Sequence, residues 1–172
     1  MTETNTLFTQ PPEGQQFVYI GIDPGSTNGL AVYSKERGLR ISQPSFWKLI
    51  TYMQDKVIPA HKEKRIVVLV ILEATYLNKF MYSKRINGKN AGVALATARN
   101  VGMNQGCAKL IKEFCDLHEI KVEEFQPGPH DKKWTREFFL SLSGMETAET
   151  AEHCRDAARF ISRFWLNNIN KG

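Results

Sequence analysis

The sequence predicts an α/β domain: a mixed five-stranded sheet, antiparallel through its first three strands and parallel afterwards, flanked by helices. Three observations carry this. Short β-branched and aromatic runs bounded by turn residues come first, at 17–22, 29–34 and 39–42. An apolar run without alternation follows at 65–72, the pattern of a strand covered on both faces. Apolar residues at helical spacing then separate and follow the later strands.

Taken in order, residues 1–16 (MTETNTLFTQPPEGQQ) are polar and proline-bearing and read as a loose tail, with 17–172 as one domain. Alternation puts Phe17, Tyr19, Gly21 and Asp23 on one face of the first strand and Val18, Ile20 and Ile22 on the other. Asp23-Pro24-Gly25 ends that strand, and Lys35-Glu36-Arg37-Gly38 turns the second strand into the third, giving an antiparallel meander. Phe46, Leu49, Ile50, Met53 and Val57 predict a helix over 46–57 that stops before Pro59. Residues 91–118 form one long helix or two joined ones, and 122–125 is a short strand closed by Pro127-Gly128-Pro129. Helices follow at 132–142 and 148–167, with Asp131 and Thr147 as caps.

Composition narrows the class. A chain of 172 residues favours one compact domain, and 42% apolar residues build a core without disulfides. The 23 Lys and Arg against 18 Asp and Glu leave +5, which permits a polyanionic partner without requiring one. Cys107, Cys115 and Cys154 form no CxxC pair and read as reduced thiols. A zinc site drawn from Cys115, His118, His153 and Cys154 would need adjacent ligands and is set aside. The longest apolar run, 66–72, is too short to span a bilayer, and the N-terminus lacks a basic-then-apolar signal. The expectation is a soluble intracellular protein with no membrane partner. No GK[ST] phosphate loop is present, and the two lobes that enclose nucleotide in actin-like kinases need a longer chain, so no nucleotide cofactor is expected.

Three acids stand at the edges of strongly apolar elements. Asp23 continues a buried strand, Glu73 follows seven apolar residues, and Asp156 flanks the helical stripe of Ala157, Phe160, Ile161 and Phe164. Singly, each has a plain structural reading: a turn residue, a solvent-facing strand end, the flank of an amphipathic helix. Together they are harder to dismiss, because ionised groups beside apolar elements are costly unless compensated, and no matched set of basic partners is evident. A hard divalent cation takes oxygen ligands and offsets such repulsion, and cations held by carboxylates hydrolyse phosphodiesters. His153, three residues before Asp156, projects to nearly the same side as a water-orienting base, an extra ligand, or neither.

At this point the chain resembles the RuvC-type Holliday junction resolvases, of the ribonuclease H-like nucleases. GIDPGSTNGLAVYS (21–34) is similar to their first-strand motif, and Glu73-Ala74-Thr75-Tyr76 to their acid-x-x-aromatic segment. Lys89-Asn90-Ala91 through Arg99-Asn100-Val101-Gly102 is similar to their interface helix, VEEFQPGPHDKK (122–133) to their penultimate strand, and HCRDAARF (153–160) to their last acidic helix. The resemblance implies a ribonuclease H-like fold and a homodimer. It implies Mg2+ or Mn2+ on Asp23, Glu73 and Asp156, and paired nicks in a four-way junction bearing ligatable 5′-phosphate and 3′-hydroxyl ends. His153 stands where bacterial members carry a fourth acid, the segment after Lys133 lacks their Gly-rich stretch, and the loop 78–88 is long. These departures indicate a divergent branch, a viral one among the options, in which case the protein works in a host cell rather than a nucleoid.

Residues 76–89 (YLNKFMYSKRINGK) interleave Tyr76, Phe80 and Tyr82 with Lys79, Lys84, Arg85 and Lys89, a composition that suits base stacking and phosphate attraction at a branch point. Lys132 and Lys133 fall near the carboxylate end of the sheet, where one would neutralise a phosphate. The expected function is cleavage of four-way junctions. A same-fold nuclease acting on flaps, forks or other branched nucleic acid, and a non-catalytic binder of branched DNA, are the alternatives.

Overall fold

A computed structural model of the chain describes residues 12–77, 91–126, 132–145 and 151–169. Alternating side chains commit β1 (Gln16–Asp23) to the centre of the sheet, where both of its faces are covered. β2 (Gly29–Ser34) and β3 (Gly38–Ser42) return antiparallel to it, joined by a turn in which Gly38 takes φ 66° and the Arg37 N–H donates to Ser34 Oγ. β4 (Ile66–Glu73) lies parallel to β1 on its other side, and β5 (Lys121–Phe125) parallel to β4, so the order is β3-β2-β1-β4-β5. The predicted mixed sheet, three antiparallel strands followed by parallel ones, is what forms.

Each face of the sheet has its own core. Val18, Ile20 and Ile22, with Leu30, Val68, Val70 and Leu72, pack against α1 (Phe46–Tyr52), the π-helical segment Met53–Val57, α2 (Ile58–Lys62) and the C-terminal half of α3 (Ala91–Leu117). On the opposite face Tyr19, Ala31, Tyr33, Leu69 and Ile71 meet α4 (Arg136–Ser143), α5 (Glu152–Phe160) and α6 (Ser162–Ile169). Trp165 anchors this second core, fully buried, with its indole N–H donated to the Ala158 carbonyl at 2.9 Å. Burying one such large apolar side chain is worth about 1.5–3 kcal/mol. Two glycines seat α5: a Cβ on Gly21 would collide with the Ala157 carbonyl, and one on Gly29 with that of His153. Bare backbone at these two strand positions is what lets the helix lie directly on β1 and β2.

Several helix boundaries differ from the expectation. The helix predicted to end before Pro59 continues through it to Lys62, because the Met53–Val57 segment winds wider and leaves Pro59 in the first turn of α2, where a missing N–H costs nothing. The helix expected over 132–142 begins at Arg136: Thr135 caps it by accepting the Phe138 N–H, and Lys132 and Lys133 precede it in non-helical chain. The last helix starts at Glu152 and breaks at Ile161, where φ −99° and ψ 11° separate α5 from α6. Residues 91–117 form a single helix. β1 opens at Gln16, so the strand begins within the segment read as tail. Asp131, Thr147 and the turn at 127–129 lie outside the described residues. No helix among the described residues is long and apolar enough to cross a membrane.

Candidate functional site

Topology alone makes Asp23 and Glu73 neighbours. Asp23 is the last residue of β1, and Glu73 ends the adjacent parallel strand, one step beyond the Ile22–Leu72 pair. Neighbouring strands lie about 4.8 Å apart, so the two carboxyls meet at one sheet edge. The loop after Asp23 is fastened by buried Asn28. Its Oδ1 accepts the Gly25 N–H at 3.3 Å, while its own N–H and side-chain amide both donate to the Pro44 carbonyl, at 2.9 and 3.2 Å. Asp156 arrives from α5, whose backbone rests on Gly21 and Gly29. Asp23 and Asp156 are only 6% and 4% exposed, a depth at which charge requires compensation.

That compensation comes from side chains the sequence did not suggest as a set, which corrects the expectation that basic partners are lacking. His153 Nδ1 lies 2.6 Å from Asp23 Oδ2. Lys133 Nζ is 3.3 Å from Asp156 Oδ2 and also bonds Glu152. Arg159 Nε stands 3.6 Å from Asp156 Oδ1, too far for a hydrogen bond. Glu152 and Arg159 were missed; the i,i+3 spacing from Asp156 to Arg159 was the available signal for the latter.

Glu73 and Asp156 hold protons more strongly than free carboxyls do. Burial raises Glu73 well above the usual carboxylate range, reinforced by its hydrogen bond with Asp23 and by the charges of Asp23 and Asp156, against which Lys133 pulls. Burial also raises Asp156, with Lys133 opposing and Asp23 adding to the shift. His153 is raised, first through its hydrogen bond to Asp23, which favours the imidazolium. Burial disfavours the Lys133 charge, but Glu152 and Asp156 outweigh it and raise its pKa. Glu73 thus favours its neutral form beside Asp23, while His153 and Lys133 stand against the Asp23 and Asp156 carboxyls.

Asp23, Glu73 and Asp156 offer the hard oxygen donors that Mg2+ or Mn2+ takes, with the His153 imidazole beside them. Asp156 Oδ1 is buried without a hydrogen bond, facing the equally unpartnered Arg159 Nε at 3.6 Å. Among the described residues, no three His, Cys, Asp or Glu side chains already stand as a ready metal-ligand group. The donor chemistry fits a divalent cation, while the arrangement is one balanced by protons and cationic side chains. The zinc alternative fails on topology: Cys115 belongs to the core of the first face, Cys154 bonds the Ser42 carbonyl on the second, and burial pushes the Cys115 thiol up to about 12.

Of the residues assigned to DNA contact, Lys133 stands at the carboxylates and Lys132 is exposed beside it in sequence. Tyr76 sits in a 3-10 turn, Thr75–Leu77, directly after β4. Its hydroxyl donates to Glu124 of β5 and Lys109 Nζ lies 5.9 Å from its ring centre, so the ring is held at the same sheet edge as Glu73. Lys79, Phe80, Tyr82, Lys84, Arg85 and Lys89 lie outside the described residues.

Along α3, a Cβ on Gly102 or Gly106 would meet no atom within 4 Å, and Leu95, Met103 and Leu110 are exposed. Gly102 and Gly106 therefore do not serve packing on the chain's own sheet. Comparison of the chain with family models, with curated proteins and with solved structures finds no match.

Proposed function

We propose that the protein is a divalent-metal-dependent endonuclease that cleaves branched DNA, four-way junctions foremost, on a ribonuclease H-like scaffold of the RuvC type. The observation that carries this reading is the electrostatic coupling of Asp23, Glu73 and Asp156, brought to one edge of the sheet from two strand ends and a helix. Mg2+ or Mn2+ held by these three acids would supply the charge that lowers the pKa of water and steadies a leaving oxygen. The chain's own groups do the rest. Lys133 is placed to neutralise a phosphate oxygen once drawn from Asp156. His153, oriented by Asp23, can hold a proton on Nδ1 and present Nε2 to water. Tyr76, anchored through its hydroxyl, offers its ring to an unpaired base. The open ridge of α3 suits a homodimer, in which two such sites would nick opposed strands and leave 5′-phosphate and 3′-hydroxyl ends.

One observation favours a second reading. Asp23 and Asp156 are already paired with His153 and Lys133, which suits a scaffold that binds branched DNA without cutting it. A cleavage panel on four-way, flap, fork and duplex DNA with Mn2+ or Mg2+ separates the two. The expected result is paired nicking of the four-way junction, lost in Asp23→Asn, Glu73→Gln and Asp156→Asn while junction binding persists. Preferential cutting of flaps or forks would move the substrate within the nuclease class. Junction binding by the wild type without metal-dependent cleavage of any substrate would leave the binder.

A further inference from the structure

The face of the sheet opposite the carboxylates holds a cavity of about 870 Å3 between β2–β3 and the Met53–Val57 and α2 segments. Gln16, at the far end of β1 from Asp23, lines it; seven residues of strand, about 23 Å, separate the two. The floor is apolar, formed by Val18, Leu30 and Val32. The lining also includes Arg37, Arg40, Lys56 and Arg65, with Asp55 the only carboxylate. Among the described residues, Arg65 alone of these four is in an ion pair, with Glu63 at 2.6 Å.

One further group lacks a partner: Gln16 Oε1 is buried without a hydrogen bond. The Tyr52 phenol also lines the cavity; burial raises its pKa against the charges of Arg37 and Arg40. The lining combines apolar surface from Val18, Leu30 and Val32 with cations, whereas a surface that only tracked a DNA backbone would carry its cations along a polar groove. Cavities of about 300–1,000 Å3 with apolar walls and a few convergent polar groups are the usual form of a small-molecule site.

We infer that this cavity binds an organic anion whose apolar body rests on Val18, Leu30 and Val32 and whose acidic group lies among Arg37, Arg40 and Lys56. The site is independent of the nuclease reading, and its test uses neither metal nor cleavage.

The probe is 8-anilinonaphthalene-1-sulfonate, titrated by fluorescence into the folded full chain. Saturable one-to-one binding is expected, weakened about tenfold or more in the Arg37→Gln/Arg40→Gln double variant, since hydrogen bonds to charged groups are the strong ones. Val32→Phe, which fills the floor, should abolish binding while the chain still melts cooperatively, and the uncharged anilinonaphthalene should bind about as weakly to the wild type as the sulfonate binds to the double variant. Absence of saturable binding, or equal affinity in the wild type and the double variant, overturns the inference. Displacement of the probe by unbranched duplex DNA at low salt also overturns it, by marking the arginines as a phosphate-backbone surface.

Discussion

Gly29→Ala tests the placement of the whole site with a single methyl group. Neither Gly21 nor Gly29 has a left-handed backbone, so what both positions require is closeness alone. The methyl carbon added at position 29 would fall inside 3.0 Å of the His153 carbonyl oxygen, a backbone atom that cannot swing aside. Restoring ordinary contact means lifting α5 or bending β2 by on the order of 1 Å, and overpacking of this kind costs about 1–3 kcal/mol. For a chain of this length each kcal/mol lowers the melting temperature by about 2–4 °C, so a drop of about 2–12 °C is expected in circular-dichroism melts. The same lift carries His153 and Asp156 away from Asp23 and Glu73. Misplacement by about 1 Å is worth about a hundredfold in rate, so junction cleavage should fall far more than the melt suggests. A variant that melts with the wild type and cleaves normally would refute the seating of α5 on β2, and with it the approach of Asp156 to the strand ends.

Glu73→Gln keeps a hydrogen-bonding partner for Asp23 and removes a carboxyl from a crowded cluster, so metal-free melting in EDTA should be unchanged or higher while cleavage is lost; a fall in melting would make Glu73 a structural residue. Glu73, Asp156 and His153 all hold protons more tightly in the fold than their ordinary values of 4.5, 3.8 and 6.5. Their contribution to stability is thus full below those ordinary values and is lost as pH rises through the raised ones. Urea midpoints of the metal-free protein should fall from pH 5.5 to 8.5, less steeply in Glu73→Gln, and a flat profile would count against the raised proton affinity of Glu73 in the fold. Lys133→Gln should slow cleavage more than Lys132→Gln and alter its salt dependence less than loss of a peripheral phosphate contact; equal effects of the two would remove Lys133 from the site. Gly106→Leu should stabilise α3 in the monomer, by somewhat less than the ~0.8–1 kcal/mol that separates Gly from Ala, and weaken the proposed homodimer in sedimentation; a dimer unaffected by it would move the proposed interface off this ridge.

The strands were legible because burial imposes a period of two on them. Val18, Ile20 and Ile22 fall on one core and Tyr19 and Gly21 face the other, as alternation requires. The helix ends were less legible because rival signals compete locally. Pro59 reads as a stop until a wider turn places it at a helix start, and Asp131 reads as a cap although Thr135 is the residue that accepts an N–H. Asp23 and Glu73 could be paired once their strands were read as parallel neighbours. The compensation around them could not be read, since the Lys133–Asp156 contact spans 23 positions and the His153–Asp23 contact 130. Gly21 and Gly29 were visible as glycines within strands, but their purpose appears only when α5 lies on them.

The location of the acids follows from how the chain leaves the sheet. After β1 it turns to β2 and β3 on one side, and after β4 it crosses through α3 to β5 on the other. Connections that diverge from two adjacent parallel strands open a crevice at their carboxyl ends, the place where open α/β sheets hold ligands. Asp23 and Glu73 are the terminal residues of those two strands, so both carboxyls are delivered to the mouth of the crevice by strand length alone. Asp156 and His153 reach this end of the sheet because Gly21 and Gly29 let α5 lie on β1 and β2, and Lys133 reaches it from the non-helical chain that precedes the Thr135 cap of α4. Three acids so placed would repel one another in the metal-free fold. The raised proton affinity of Glu73 and Asp156, with the contacts from His153 and Lys133, offsets that repulsion, so the three acids can stand together in the fold with their charges balanced by the protein itself.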